Sequence, residues 1–144
     1  MLPSEFFMSR PSDHRLSQTE GQRFPKSLRL RKQSEFDRVY QTKCYAADQM
    51  LVVKAVSNGT AVTRLGLSIS RRVGQAVVRN QWKRVIREVF RKQRFEFPTG
   101  LDLVVRPRRG ANCRYDRISK SLPKLIERLN RQIHQETDRR PQVD

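Results

Sequence analysis

A chain of 144 residues with 31 Lys and Arg against 14 Asp and Glu carries a formal charge of +17, which points to a polyanionic partner: RNA, DNA or an anionic membrane. A hydrophobic content of 36% supports one small core with spare tail. No apolar run approaches the length of a membrane helix, and no signal-peptide-like apolar core follows the first residues, so the expectation is a cytoplasmic protein with no membrane partner.

Residues 1–24 mix Pro, Ser, Gln, Asp and Arg without helical or strand period and predict a disordered extension. A single domain is expected over 25–134, with 135–144 a polar tail. Within it, Pro25–Lys32 is an extended basic lead-in. Ser34–Thr42 reads as a short helix, with Ser34 as its cap and Glu35 and Asp37 in the first turn, where the helix dipole favours acids. Phe36, Val39 and Tyr40 share one face. Val39 reads as core, while spacing alone leaves the two rings open between core and surface.

Met50–Val56 is β-rich, Asn58-Gly59 signals a turn, and Leu65, Leu67 and Ile69 alternate with Arg64, Gly66 and Ser68. These predict an antiparallel pair with one buried face. Gly74 breaks the next junction, either to supply a turn or to let backbone approach a phosphate. A helix over Gln75–Gln93 follows. At about 100° per residue, Asn80, Arg84, Arg87 and Arg91 fall within about 60° of one another, opposite Val78, Trp82, Val85, Ile86 and Val89. Trp82 therefore reads as core. Glu88 is the single acid among Arg79, Lys83, Arg84, Arg87, Arg91 and Lys92, and an external polyanion explains such crowding of like charge.

Pro98-Thr99-Gly100 ends a loop, Leu101–Arg106 is a short buried strand, and Pro107-Arg108-Arg109-Gly110 stops it. Tyr115–His134 carries the stripe Ile118, Leu122, Leu125, Ile126, Leu129 and Ile133. Pro123 inside it predicts a kink or a late start.

Little in the chain suits protein-borne catalysis. The acids Asp37, Asp48, Glu88, Glu96, Asp102, Asp116 and Glu127 are scattered, and no GxSxG, HExxH or P-loop occurs. Cys44 and Cys113 lie outside any CxxC pair and read as reduced thiols, while His14 and His134 lack a third ligand nearby.

The run Arg71-Arg72-Val73-Gly74-x-Ala76-Val77-x-Arg79-Asn80-x-x-Lys83-Arg84-x-x-Arg87-Glu88 resembles the RNR motif of the bacterial ribonuclease P protein subunit. Gln81 stands where the motif usually has its second Arg. The resemblance covers residues 25 to about 134 and implies an α+β fold. That fold has a single-layer mixed, mainly antiparallel sheet with helices packed on it, in the order α-β-β(-β)-α-β-α, as in a domain of a small-subunit ribosomal protein. It also implies a left-handed βαβ crossover, against the usual right-handed rule.

Functionally, the resemblance implies a 1:1 partnership with a catalytic RNA that removes the 5′ leader of precursor tRNA. Mg2+ would be held through that RNA and not by the protein. Arg71, Arg72, Arg79, Asn80, Lys83, Arg84, Arg87 and Arg91 would contact the catalytic RNA. Phe36 and Tyr40 would line a leader-binding cleft, with Lys54 where the family commonly has a third aromatic. A structural RNA-binding protein of ribosomal type is the alternative. A self-sufficient nuclease lacks the acids, and a helix-turn-helix DNA binder would not place a strand before its basic helix.

Overall fold

The computed structural model describes residues 25–139, so the expected disorder of 1–24 lies outside the described residues. A four-stranded sheet is built from β1 (Tyr45–Ala47), β2 (Leu51–Ser57), β3 (Arg64–Leu67) and β4 (Leu101–Pro107), in spatial order β1-β2-β4-β3. Three α-helices accompany it: α1 (Gln33–Tyr40), α2 (Ala76–Gln93) and α3 (Tyr115–Arg139).

The expected pairing of β2 with β3 does not occur. β4 lies between them, antiparallel to β2 and parallel to β3, so that Leu103 faces Ala55 on one side and Leu65 on the other. The reason is the unbroken apolar run Leu103-Val104-Val105, which suits a central strand covered on both faces. Asn58-Gly59 still turns the chain, with Gly59 at φ 72°, but into a loop and not a tight hairpin. Asn58 holds that loop through Nδ2, which donates to the Val62 carbonyl and to Asp102 Oδ1, each at 2.8 Å.

One sheet face carries the main core. Leu51, Val53, Leu65, Leu103 and Val105 meet Trp82, Ile86, Val89 and Phe90 of α2 and the apolar stripe of α3. Each fully buried Leu, Val or Ile contributes about 1.5–3 kcal/mol. Trp82 is core, as its wheel position requires, but Val78 in the first turn of α2 is exposed. Gly74, at φ 153°, makes the junction ahead of α2, and a Cβ there would lie 3.1 Å from the Val78 side chain.

Pro123 does not delay α3, which runs unbroken from Tyr115 and continues to Arg139, into the segment that reads as tail. Proline lacks an N–H, so the Ser119 carbonyl loses its helical donor. The Gln93 side chain of α2 donates to that carbonyl instead, at 3.0 Å.

The opposite face is covered only near α1, where Leu30, Val39 and Val104 pack with Phe36 and Val56. Ser34 is not the cap of this helix, which starts one residue earlier. Glu35 Oε1 accepts the backbone N–H groups of Arg31 at 2.9 Å and Lys32 at 3.0 Å. Beneath α1, Arg64 ties three elements together. Its Nε and Nη2 donate to the two oxygens of buried Asp102 on β4, at 2.9 and 2.7 Å, and its Nη1 donates to Glu35 at 2.7 Å. The Phe36 ring rests on Gly66, where an added Cβ would come 2.8 Å from the ring.

Backbone bonds from Lys32 and Arg31, with the Arg64 guanidinium beside them, lower the Glu35 carboxyl from 4.5 to about 2. The folded chain therefore binds fewer protons here than the unfolded chain between those values. The resulting stability is full above pH 4.5 and is lost as pH falls toward about 2. Glu35→Gln is expected to lower stability at neutral pH and to flatten the loss across this window, as read by denaturant melts at stepped pH.

Candidate RNA interface

Many of the cationic side chains lie on two connected surfaces. The first is a ridge formed by the 3-10 turn Arg71–Val73 and the outer side of α2. Arg71, Arg72, Asn80 and Arg84 are exposed there, as is Gln81, and Arg79, Lys83 and Arg87 are half-buried. Arg79 is steered by its own backbone, since its Nε donates to the Gly74 carbonyl at 3.3 Å. Burial first, and then the charge of Arg29, pull the Arg87 guanidinium below its usual range. A phosphate against it would offset both effects by favouring the charged form. Arg91 differs: it is bonded to Glu88, with its side chain only 16% exposed, and is largely satisfied within the protein.

The second surface is a groove of about 1050 Å³ on the sheet face that α1 leaves open. Val52 and Lys54 of β2, Arg106 of β4 and Ser68 after β3 contribute to its lining, and no acid does. Arg72 reaches it from the ridge, and Arg108 and Arg109 bound it from the loop after β4. Of the three expected cleft residues, Lys54 lines this groove. Phe36 and Tyr40 stand on α1 outside this lining, and Lys54 links the two places, its Nζ donating to the Tyr40 carbonyl at 3.1 Å. Their ring centroids are 6.2 Å apart. Tyr40 is exposed, whereas Phe36 is half-buried against Gly66 and serves packing as much as any ligand.

Sequence reasoning missed Tyr45, Arg106, Arg108 and Arg109. The three arginines were visible in Val105-Arg106-Pro107-Arg108-Arg109, which reads locally as the end of a strand. Tyr45 lies on a three-residue strand too short for an alternation signal.

Among the described residues, no group of three or more His, Cys, Asp or Glu is placed to hold a metal ion. Three of the acids are held internally: Asp102 by Arg64 and Asn58, Asp48 by Ser121 and the N–H groups of Met50 and Leu51, and Glu88 by Arg91 and Lys92. Cys44 and Cys113 form no disulfide among the described residues, and no described helix is long and apolar enough to cross a membrane.

Two cationic surfaces on a mixed sheet, with their acids locked in internal pairs, define an α+β RNA-binding protein. Comparison with known proteins gives the lineage. The Ribonuclease P family model matches residues 24–130. The ribonuclease P protein component of Brevibacillus brevis is 38% identical over 105 residues, covering 72% of this chain and 83% of its own length. That of Petrotoga mobilis is 35% identical over 115 residues, covering 76% and 98%. Among solved structures, the Staphylococcus aureus RNase P protein matches with a TM-score of 0.64 at 32% identity, over 71% of this chain and 94% of that one. The Thermotoga maritima RNase P protein matches with a TM-score of 0.65 at 30% identity, over 69% and 96%. The chain belongs to the ribonuclease P protein family.

Arg84 is exposed on the ridge and outside the core, so Arg84→Ala is expected to leave the melting temperature unchanged. As a phosphate contact, its loss should reduce the slope of log affinity against log salt by about 0.7–0.9 for the catalytic RNA. Titrations at stepped ionic strength measure this.

Proposed function

We propose that this chain, as the protein component of ribonuclease P, grips the catalytic RNA one to one through the ridge and the 5′ leader of precursor tRNA through the groove. Catalysis lies with the RNA, and the protein supplies binding and placement. The carrying observation is Arg72, which belongs to the ridge and lines the groove at once, so that an RNA on one surface abuts a strand in the other.

The chemistry of the two surfaces supports the division. A structured RNA presents fixed phosphates, which a rigid helix can match with Arg84 and Arg87. A leader is single-stranded and varies in sequence. Rings and cations suit it, because any base can stack and any phosphate can pair. Magnesium is assigned to the RNA, where it would supply the hydrolytic chemistry, and the compartment to the cytoplasm.

Reconstitution tests this. RNA-free protein is expected to leave precursor tRNA intact, and protein with its host's catalytic RNA to cleave at the mature 5′ end. Tyr40→Ala is the cleaner groove-side probe, since Phe36→Ala would also open a void over Gly66. In the holoenzyme it should weaken a leader-bearing precursor about fivefold or more and leave mature tRNA unaffected. Equal losses for both RNAs would refute the leader assignment.

A further inference from the structure

The groove has a ring that its wall does not need for packing. Tyr45 lies on β1, the edge strand, and is 58% exposed. Its backbone is held: it pairs with Lys54 across the strands, and its carbonyl accepts from Gln132 of α3 at 3.3 Å. Directly opposed residues in an antiparallel pair present their side chains on one face. Tyr45 therefore stands beside Lys54 on the groove side, while its neighbour Ala46 is buried in the main core. An aromatic side chain on a fixed backbone, largely open to solvent, has little to contribute to the core and much to offer a flat apolar ligand.

The surroundings specify that ligand. Lys54, Arg72, Arg106, Arg108 and Arg109 line the same groove without an acid among the lining residues, so the ligand is anionic along its length. A flat face and a chain of negative charge together describe single-stranded nucleic acid. Lys54 links the two tyrosines, its Nζ donating to the Tyr40 backbone carbonyl and its strand position pairing with Tyr45.

Resting on the leader reading above, we propose that Tyr45 stacks on a leader base of its own, distinct from the base at Tyr40, with Lys54 meeting the phosphate backbone between them. β1 thereby lengthens the stretch of leader that the protein holds and makes the edge of the sheet a second stacking platform.

The test uses holoenzyme reconstituted with the host catalytic RNA. Its substrates are precursor tRNA without a leader, with a leader, and with a leader carrying one abasic nucleotide moved along its length. Tyr45→Ala is expected to melt like the parent, since the ring is exposed, and to bind leader-bearing precursor about tenfold more weakly. Leaderless substrate should show no such loss, and Tyr45→Phe, which keeps the ring, should recover the affinity. An abasic nucleotide at one position should abolish the difference between parent and Tyr45→Ala, and at another position the difference between parent and Tyr40→Ala. If Tyr40→Ala shows a leader-dependent loss and Tyr45→Ala shows none, the leader reading stands and the role of Tyr45 falls. The same holds if one abasic position silences both variants. If neither variant is sensitive to the leader, both readings fall together.

Discussion

The structure turns on the buried hydrogen bonds between Arg64 and Asp102. Asp102 is 1% exposed on the central strand, and a carboxylate so placed is tolerable only when fully paired. The Arg64 fork answers it with two bonds and uses its remaining nitrogen on Glu35, which in turn accepts the first N–H groups of α1. Asn58 reaches the same carboxylate from the loop after β2, and Arg38 of α1 comes within 3.5 Å of it. One guanidinium thus sets where α1 lies on the sheet. The positions of Phe36 and Tyr40, and the point at which the groove begins, follow from it.

The two faces of the sheet are used unequally. Two long helices seal one face and bury their apolar stripes against it. On the other face an eight-residue helix covers one end, and the remainder stays open and lined with cations. Such a face would be poor design for stability alone, since like charges gathered without counter-charges oppose folding. It suits a protein whose counter-charges arrive with its partner. The acids the chain does possess near these surfaces are already committed, Asp102 and Glu35 to Arg64 and Glu88 to Arg91 and Lys92. Arg71, Arg72 and Arg84 stay exposed on the ridge.

Division of labour within the ridge follows from the same inventory. Arg84 is open, while Arg91 is tied to Glu88 one turn back, so residues that look equivalent on a helical wheel are not equally available to a ligand. The aromatic residues on this side show a parallel contrast, with Tyr40 and Tyr45 open and Phe36 partly withdrawn onto Gly66.

Much of this was legible in the residues themselves. Charge, the spacing of Asn80, Arg84 and Arg87, the apolar stripe through Trp82 and Ile86, and the breaks at Gly74 and Pro107 are local signals, and local physics decides them. Sequence order invited β2 to pair with β3, but three strands compete for the middle of the sheet. Only the assembled molecule shows β4 there, since its apolar run needs cover on both faces. That long-range choice also brings Arg64 to Asp102, 38 residues apart, and Arg106 to the groove floor. Gln93 relieving the proline in α3 is likewise a meeting of distant segments. Lys54 in place of a ring implied a cleft with one aromatic fewer, yet strand pairing sets Tyr45 beside it. Periodicity along a chain encodes which face of an element is apolar. It does not encode which element lies across from it, because that depends on which of several buried pairings gains most from being made together.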